Sequence, residues 1–508
     1  MLNKNQTFEH FNDEEDEKGM INKLIDQMGY SKYQFFITIL AATILAVDGA
    51  QSILLAILLS LINESTKLTE YNLALVNTIE SIGYTLATII INIVTQYLSN
   101  KQSIQFFSIL SLLFTGLSLT TFNFYFVCFT RFSFGFCIGS IDLLIYILLI
   151  ENSPTKLRGF LSTFIFIFYP IGALLLSFSG YTLLEEGKSD KNYYILLLVP
   201  FAFLLFFTCL IFLLQESPRT LIMENKVEEG INVIQKMNSF NDKNNEMTTK
   251  HKEELIVEMK EKIKRKHTLK LTGKSSDIKI RQSSNSIEMN NKINENEIIV
   301  DDFEKLTLFE KFKRLFNKNY RKYTIIIWIV VIFSSFTLNG IFFMLPTTAP
   351  ELTKSTFKGV LLSVFIEIPS NIFTSIMIEN NKTGRLWAMK IGLIGALTMS
   401  IVHFIYLKPM LYIDCVLKFF INIPVSVITV YGSELYDSKI RIFGTSAINF
   451  WKRISIMVSP LTIAYLDNHY GSAAGYFVFT PCVFIALFFS FFLDIETRGV
   501  PLDEFGKD

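Results

Sequence analysis

Acidic and basic side chains stand inside long apolar runs of this 508-residue chain. Asp48, Asp142 and Glu367 are each flanked by apolar residues on both sides, and Arg453 follows Lys452 within another apolar run. A charged group in such surroundings has to meet an opposite charge, a polar cavity or an ionic ligand. It can therefore bind a charged solute, or take up and release a proton. Together with Gln51, one turn beyond Asp48, these four residues are candidates for solute binding or coupling.

A second pattern occurs twice and places an acid and an arginine at fixed spacing. Glu151 is followed seven residues later by Arg158, and Glu434 is followed seven residues later by Arg441. In both copies a long apolar run ends near the acid, and another begins at the arginine. A repeated pattern of this kind is typical of a duplicated membrane protein. Because these residues lie at the ends of apolar runs, we interpret them as a gate or a structural ion-pair network.

Composition excludes several classes of protein. Half of the residues are hydrophobic, only 18% are charged, and the net charge is +1, which gives no electrostatic basis for binding nucleic acid. The five cysteines lie inside apolar runs and the five histidines are scattered, so no metal site is expected. The chain has no nucleotide-binding loop, zinc-protease motif or catalytic triad. We therefore expect no enzymatic activity and no cofactor.

The apolar runs are long enough to cross a membrane, which takes about 20 residues as a helix. They predict an all-α membrane protein with twelve transmembrane helices in two six-helix bundles. The predicted spans 1 to 12 are residues 34–62, 73–98, 103–121, 124–150, 159–182, 193–214, 323–349, 356–379, 386–407, 409–434, 441–465 and 473–494. The predicted domains are a tail (1–33), an N-terminal bundle (34–214), a linker (215–322), a C-terminal bundle (323–494) and a second tail (495–508).

The linker is polar and rich in lysine and arginine, which places it and both termini in the cytosol. The membrane is the plasma membrane or an endomembrane. Within the linker, residues 216–238 and 303–322 are predicted to form amphipathic helices. Residues 252–266 are predicted to form a charged helix, and residues 270–300 to be disordered.

Charged residues are distributed unevenly among the spans. Spans 3, 6, 9 and 12 are almost purely apolar, which predicts that they lie outside while the others surround a polar path. Span 7 supplies a further polar candidate, Asn339. In span 10, Asp414 and Lys418 are four residues apart and are expected to pair with each other. Arg131 in span 4, with its glycine-spaced neighbours, indicates a packing element.

Four short motifs resemble those of the major facilitator superfamily, over nearly all of residues 34–502. They are Arg131-x3-Gly135-x3-Gly139 leading to Glu151 and Arg158, Glu216-Ser-Pro-Arg219 after span 6, Glu434 to Arg441 with Arg453 and Pro460, and Glu496-Thr497-Arg498-Gly499 after span 12. Within the superfamily the chain is most similar to the synaptic-vesicle-protein-2-like and organic ion transporters, with sugar porters as the runner-up. One loop departs from the pattern: residues 95–102, between spans 2 and 3, lack the usual basic motif, whereas its counterpart ending at Arg385 is better kept.

The resemblance implies a transporter that rocks two bundles around a site at mid-membrane. The expected cargo is a small organic solute, most simply an organic ion, moved by facilitation or with a coupled proton or cation, in a monomer. Sugar or another neutral solute is the alternative cargo. A non-transporting membrane sensor or scaffold is the alternative of another class, and the altered loop between spans 2 and 3 favours it somewhat. The resemblance also assigns Arg131, Glu216, Arg219 and Arg385 to gating or structure.

Overall fold

A computed structural model describes residues 25–26, 29–66, 70–118, 124–184, 193–223, 226–240, 307–348, 356–406, 411–470, 474–500 and 502. These residues are almost entirely helical and include no strand. The chain divides into two compact units. One comprises Met1–Tyr33 and Gln215–Thr307, and the other comprises Gln34–Leu214 and Leu308–Asp508. The second unit contains all twelve predicted spans.

Each predicted span coincides with a helix or a pair of helices. In the first half they are Lys32–Thr66, Glu70–Tyr97, Asn100–Leu117, Phe124–Asn152, the pair Arg158–Phe164 and Phe168–Leu184, and Tyr193–Ile211. In the second half they are Lys318–Thr348, the pair Thr356–Phe365 and Glu367–Glu379, Gly384–Tyr406, Leu411–Leu435, Ser438–Tyr470 and Ala474–Ser490. Among the described residues, eight helices are long and apolar enough to cross a membrane, and two shorter apolar helices lie at Leu198–Ile211 and Gly475–Ser490. The predicted all-α membrane fold is confirmed.

Two spans are interrupted next to the centre of the bundle. Span 5 passes through a 3-10 turn at Ile165–Ile167, and span 8 breaks at Ile366, three residues before Pro369. Proline cannot donate a backbone hydrogen bond and crowds the preceding turn, which accounts for the break in span 8. Such breaks free backbone oxygens where they can meet a polar cavity.

Glycines allow neighbouring spans to touch backbone to backbone. A Cβ atom on Gly135 of span 4 would overlap the backbone oxygen of Glu80 in span 2. A Cβ atom on Gly172 of span 5 would overlap the backbone of Ala46 in span 1. The glycine-spaced motif beside Arg131 is thus a packing element, as the sequence indicates. Small residues serve this purpose in membranes because they permit close van der Waals contact between helices.

Gly172→Val is expected to destabilise the N-terminal bundle. The added atoms have no space against the Ala46 backbone, and overpacking of this kind costs about 1–3 kcal/mol. Gly116→Ala is the matched control, because its new Cβ would lie 3.5 Å from the Phe201 ring, an ordinary contact. Thermal melting of the detergent-purified protein checks the pair. Equal melting temperatures for the two variants would contradict the close crossing of spans 1 and 5.

Large apolar side chains project outward from the predicted outer spans. Examples are Phe106 on span 3, Phe206 on span 6, Phe404 on span 9 and Phe488 on span 12, each about half exposed. A band of exposed apolar side chains is unfavourable on a surface in contact with water and is favourable on a surface in contact with lipid. The observed faces agree with the predicted outer position of these four spans.

The linker unit is described only in part. Tyr33 accepts a hydrogen bond from the backbone nitrogen of Gln215 (3.2 Å), and helices Pro218–Met223 and Val227–Phe240 pack against each other. The second of these helices buries Ile231, Ile234 and Met237 on one face, so the predicted amphipathic helix 216–238 forms as two pieces. The predicted charged helix 252–266 and the predicted disorder at 270–300 lie outside the described residues. The domain boundaries stay predictions.

The second predicted amphipathic helix belongs to the bundle unit. It forms at Leu308–Leu315, just before span 7. Phe309 and Phe312 are exposed on it, while Leu315 is buried.

The loop between spans 2 and 3, which lacks the usual basic motif, contains a helix-capping motif. Ser99 and Gln102 form a reciprocal capping box that starts span 3.

Candidate functional site

A cavity of about 220 Å³ lies between the two halves of the bundle. Its lining comes from spans 1, 2, 4 and 5 of the first half and from spans 7, 8, 10 and 11 of the second. Five of the six predicted binding or coupling residues line it, namely Asp48, Asp142, Asn339, Glu367 and Arg453. The walls also carry aromatic side chains: Tyr84, Tyr146, Phe166, Tyr169 and Phe342. A site with apolar walls and a few placed polar groups suits a small ligand.

Arg453 joins the two halves across this cavity. Its guanidinium lies over the Tyr84 ring, 3.2 Å from the ring centroid, and its Nη2 is 3.8 Å from Oδ2 of Asp48. Arg453 belongs to span 11, whereas Asp48 and Tyr84 belong to spans 1 and 2. A guanidinium on an aromatic face is stabilised by the ring quadrupole, and the effect grows when water is excluded. The arginine is therefore held in place with part of its charge still facing the cavity.

Asp142 of span 4 continues this chain of contacts. Its Oδ2 accepts a hydrogen bond from the Tyr84 hydroxyl. Tyr84 thus links Arg453 to Asp142, through its ring on one side and its hydroxyl group on the other. The sequence does not single out Tyr84, because a tyrosine in an apolar helix carries no signal until the inward face of that helix is known.

Glu367 does not stand alone, because Lys418 of span 10 neutralises it. Lys418 Nζ lies 2.7 Å from Glu367 Oε1 and also donates to the oxygen atoms of Ser363. The expected pairing of Lys418 with Asp414 is therefore wrong. Lys418 and Asp414 are both fully buried, and each needs its own partner. Each finds that partner on a neighbouring span, although the two residues are close together on their own helix.

Asp414 has partners in other spans. His403 Nε2 is 3.0 Å from Asp414 Oδ1, and the Tyr476 hydroxyl donates to Oδ2 at 3.0 Å. The His403 and Tyr476 rings stack with centroids 4.1 Å apart. This cluster ties spans 9, 10 and 12 together and lies outside the cavity lining.

Gln51 and Asn339 have clear local partners. Gln51 Oε1 accepts a hydrogen bond from Arg131 Nη1 at 2.8 Å, and both side chains are buried. Gln51 is therefore engaged with the packing motif of span 4 and does not line the cavity. Asn339 lines the cavity and donates from Nδ2 to the Ser335 oxygen at 2.8 Å.

Lys452, the neighbour of Arg453 in span 11, is a second cation of the cavity. Its side chain lines the same cavity as Arg453. Within the part of the chain that the structure describes, it forms neither an ion pair nor a hydrogen bond. A cation in a largely enclosed site without a bound acid is available to a negatively charged ligand.

A hydrogen bond also crosses between the halves at the two interrupted spans. Asn371 of span 8 donates from Nδ2 to the Phe166 oxygen at 3.2 Å, and that oxygen belongs to the 3-10 turn of span 5. Asn371 in turn accepts from Asn422 at 2.9 Å. The 3-10 turn of span 5 therefore contacts span 8 at the cavity wall, in the helix that follows the break at Ile366.

The repeated Glu and Arg residues form ion pairs between the halves, at one end of the bundle that we call the ion-pair rim. Arg158 Nε lies 3.0 Å from Glu434 Oε1, and Arg441 Nη1 lies 3.2 Å from Glu151 Oε1. Each acid thus pairs with the arginine of the other copy. All four side chains are buried, so water does not screen these pairs.

Arg385 and the segment after span 12 complete the rim. Arg385 donates to both carboxylate oxygens of Glu434 at 3.1 Å, and Thr497 donates to Glu434 Oε2 at 2.7 Å. Glu496 accepts from the backbone nitrogens of Arg385 and Leu386, which caps the start of span 9. The rim is closed in this structure, because its acids and arginines bridge both halves.

Glu216 and Arg219 lie in the other compact unit, which is described by itself. Glu216 accepts from the backbone nitrogen of Ser217 at 3.2 Å, and Arg219 is buried at the start of helix Pro218–Met223. Their assignment to gating stays a prediction.

Two halves around a charged central cavity, closed at one end by swapped ion pairs, form the arrangement of the major facilitator fold. Solved structures of that fold agree. The proton:xylose symporter XylE bound to 6-bromo-6-deoxy-D-glucose superimposes with a TM-score of 0.71 at 17% identity, over 94% of this chain and 99% of that one. The xylose transporter XylE from E. coli in a partially occluded inward-open state gives 0.64 at 14% identity, over 91% and 100% of the two chains.

The chain belongs to the sugar (and other) transporter family, whose model matches residues 19–283, just over half of the chain. Curated relatives are distant. The niacin transporter NiaP of Acinetobacter baylyi is 25% identical over 202 residues, which are 38% of this chain and 45% of that protein. The putative niacin/nicotinamide transporter NiaP of Bacillus subtilis is 26% identical over 212 residues, or 39% and 51% of the two chains. The chain spans about half the length of the curated relatives it matches.

Proposed function

We propose that this protein carries a small organic anion across its membrane by alternating access. The observation that carries the proposal is the pair of adjacent cations in the central cavity. Glu367 is neutralised by Lys418, and Arg453 is held between Asp48 and Tyr84. Lys452 forms no ion pair with any described residue, so it is the cation left for a ligand.

The walls of the cavity add a preference for flat or aromatic solutes. Tyr146 and Phe166 stack with centroids 5.7 Å apart, and Tyr84 lines the same space. Aromatic walls bind planar ligands through offset or edge-to-face contacts. The names of the distant relatives, niacin transporters, point to a cargo of this kind, a small aromatic carboxylate.

Alternating access needs a closed and an open form of each end of the cavity. The ion-pair rim supplies the closed form of one end. Its opening has to separate Arg158 from Glu434 and Arg441 from Glu151, because these pairs link opposite halves. We place the rim, the linker and both termini in the cytosol on the basis of the basic residues near the rim. A monomer contains the whole path.

A neutral polyol, such as a sugar, is the second candidate cargo. The cavity also carries the amides of Asn339, Asn371, Asn422 and Asn449, which can hydrogen-bond hydroxyl groups. The family description and the xylose transporters among the similar structures favour this candidate. It predicts uptake that does not depend on the charge of Lys452.

Lys452→Gln is expected to weaken uptake of an anionic probe by about 10- to 100-fold in KM, because a hydrogen bond to a desolvated charge contributes about 1.5–3 kcal/mol. The measurement is uptake of nicotinate, nicotinamide and xylose into proteoliposomes. Nicotinate and nicotinamide have the same ring and differ in charge, so they form a matched pair of probes. Lys382→Gln, an exposed lysine between spans 8 and 9, is the control variant.

The outcomes separate the candidates. Transport of nicotinate that falls in Lys452→Gln but not in Lys382→Gln supports an anion carrier. Transport of xylose that is equal in both variants supports the polyol candidate. Absence of flux for any of a broad panel of organic ions and sugars would overturn the transport proposal and favour a membrane sensor.

A further inference from the structure

Asp142 is a buried carboxylate in the cavity, and only one of its two oxygen atoms accepts a hydrogen bond. Its Oδ2 accepts from the Tyr84 hydroxyl. Its Oδ1 is buried and has no hydrogen-bond donor among the residues that the structure describes. An ionised carboxylate oxygen that is removed from water without a donor is costly, whereas a neutral carboxyl group is tolerated far better.

The groups around Asp142 do not supply the missing donor. Tyr84 of span 2, Asp48 of span 1, and Lys452 and Arg453 of span 11 face it. Of the two cations, Arg453 is committed to Asp48 and to the Tyr84 ring. Lys452 forms no ion pair with Asp142. The charge of Asp48 repels that of Asp142, since both are acids in one small cavity.

We propose that Asp142 takes up one proton when a solute anion binds and releases it when the anion leaves, so that the two are transported together. This inference rests on the proposed function as an anion carrier. The arriving anion occupies Lys452, a cation that faces Asp142, and brings a further negative charge next to this carboxyl group. It thereby favours the neutral form, and by linkage the neutral form favours the anion.

The proton balance is simple. On the loading side, an O–H bond forms at Oδ1 with a proton from water, and no electrons are transferred. On the other side that bond breaks, and the proton returns to water as the anion dissociates. One anion and one proton together carry no net charge, so the membrane potential does not drive or oppose this step.

Asp48 is a poorer carrier of the proton, although the sequence makes it an equal candidate. Its Oδ2 faces Arg453 at 3.8 Å, and this cation favours the ionised form. Asp48 is instead a positioning residue that keeps Arg453 against Tyr84. The two aspartates therefore have different environments and different expected roles.

The test uses the purified full-length protein in proteoliposomes that contain a pH-sensitive dye, with nicotinate as the probe. With an acidic exterior, the wild-type protein is expected to accumulate nicotinate and to acidify the lumen, after subtraction of protein-free vesicles. Asp142→Asn is expected to lose both the accumulation and the acidification. Counterflow of nicotinate at equal pH is expected to persist in this variant, because exchange requires no net movement of protons.

Controls make the failures distinguishable. Asp494→Asn removes an exposed carboxylate after span 12 and is expected to behave as the wild type. If wild-type protein moves none of the probes, the proposed function fails. If it moves nicotinate while Asp142→Asn still acidifies the lumen, the inference on Asp142 is overturned. The same conclusion follows if Asp48→Asn uncouples the proton and Asp142→Asn does not.

Tyr84→Phe provides a second, independent variant in case Asp142→Asn fails to fold. It keeps the ring under Arg453 and removes the one hydrogen bond that the Asp142 carboxylate receives. Loss of this bond disfavours the ionised form, so the pH of half-maximal uptake is expected to move upward. An unshifted pH profile in a folded Tyr84→Phe protein would overturn the proposal.

Discussion

Glu434→Gln is expected to open the ion-pair rim and to abolish accumulation of solute. Glu434 is fully buried and receives hydrogen bonds from Arg158, Arg385 and Thr497. Removal of its charge leaves two buried guanidinium groups without their shared acid, and breaking a buried pair in this way costs about 3–5 kcal/mol. The cost falls on the closed rim, because water can reach the arginines once the halves separate.

A free-energy change of this size shifts the equilibrium between closed and open rim by roughly two to four orders of magnitude, at about 1.4 kcal/mol per factor of ten. Spin labels at the exposed positions 156 and 439, one on each side of the rim, report the change as a longer distance between labels. The change is expected in Glu434→Gln and in no control that leaves the rim intact. An unchanged distance distribution would contradict the role of Glu434 in closing the rim.

The exposed ion pair between Lys322 and Asp494 supplies the control for this experiment. The Lys322 ammonium and the Tyr323 hydroxyl donate to Asp494 and hold the pKa of this carboxyl below its ordinary value. Exposed pairs nevertheless contribute little to stability. Asp494→Asn should therefore leave the label distances as in the wild type, which separates the effect of a buried charge from that of any lost carboxylate.

Arg453→Ala is expected to abolish transport while the protein still reaches the membrane. The change removes the contact with Asp48, the cation on the Tyr84 ring and one of the two cations that face the cavity. Asp48 is then left as a buried acid without its arginine. Uptake measured against surface-exposed protein checks the prediction, and undiminished uptake per molecule would refute it.

Arg453→Lys is the matched variant for this position. It keeps the positive charge but loses the planar guanidinium that lies flat on Tyr84. Partial activity in the lysine variant and none in the alanine variant would assign the effect to charge. Equal loss in both would assign it to the stacked geometry.

Hydropathy was sufficient to predict the helices, because a bilayer demands a nearly fixed length of apolar residues. The duplicated Glu and Arg spacing was sufficient to predict a network at one end of the bundle. It could not predict which acid meets which arginine. That choice depends on how the two halves are placed, and a linear sequence does not contain the distance between Glu434 and Arg158.

The cavity shows the same limit more sharply. Asp48, Asp142, Glu367 and Arg453 were recognisable because a charge within an apolar run is rare. For Lys418, the spacing along one helix predicts Asp414 as the partner, whereas packing between helices favours Glu367. No sequence pattern indicates Tyr84, because its importance comes only from the Arg453 and Asp142 side chains on either side of it.

The pairing of each acid in the rim with the arginine of the other copy matches the contacts of a two-fold symmetric dimer. Two identical six-helix subunits related by a two-fold axis would form every contact twice, with the acid of each subunit meeting the arginine of its twin. Glu151 with Arg441 and Glu434 with Arg158 are these two contacts, now made within a single polypeptide. The rim thus retains the geometry of a symmetric homodimer, whereas the cavity, with Asp142 and Tyr84 in one half and Lys418 and Arg453 in the other, has lost that symmetry.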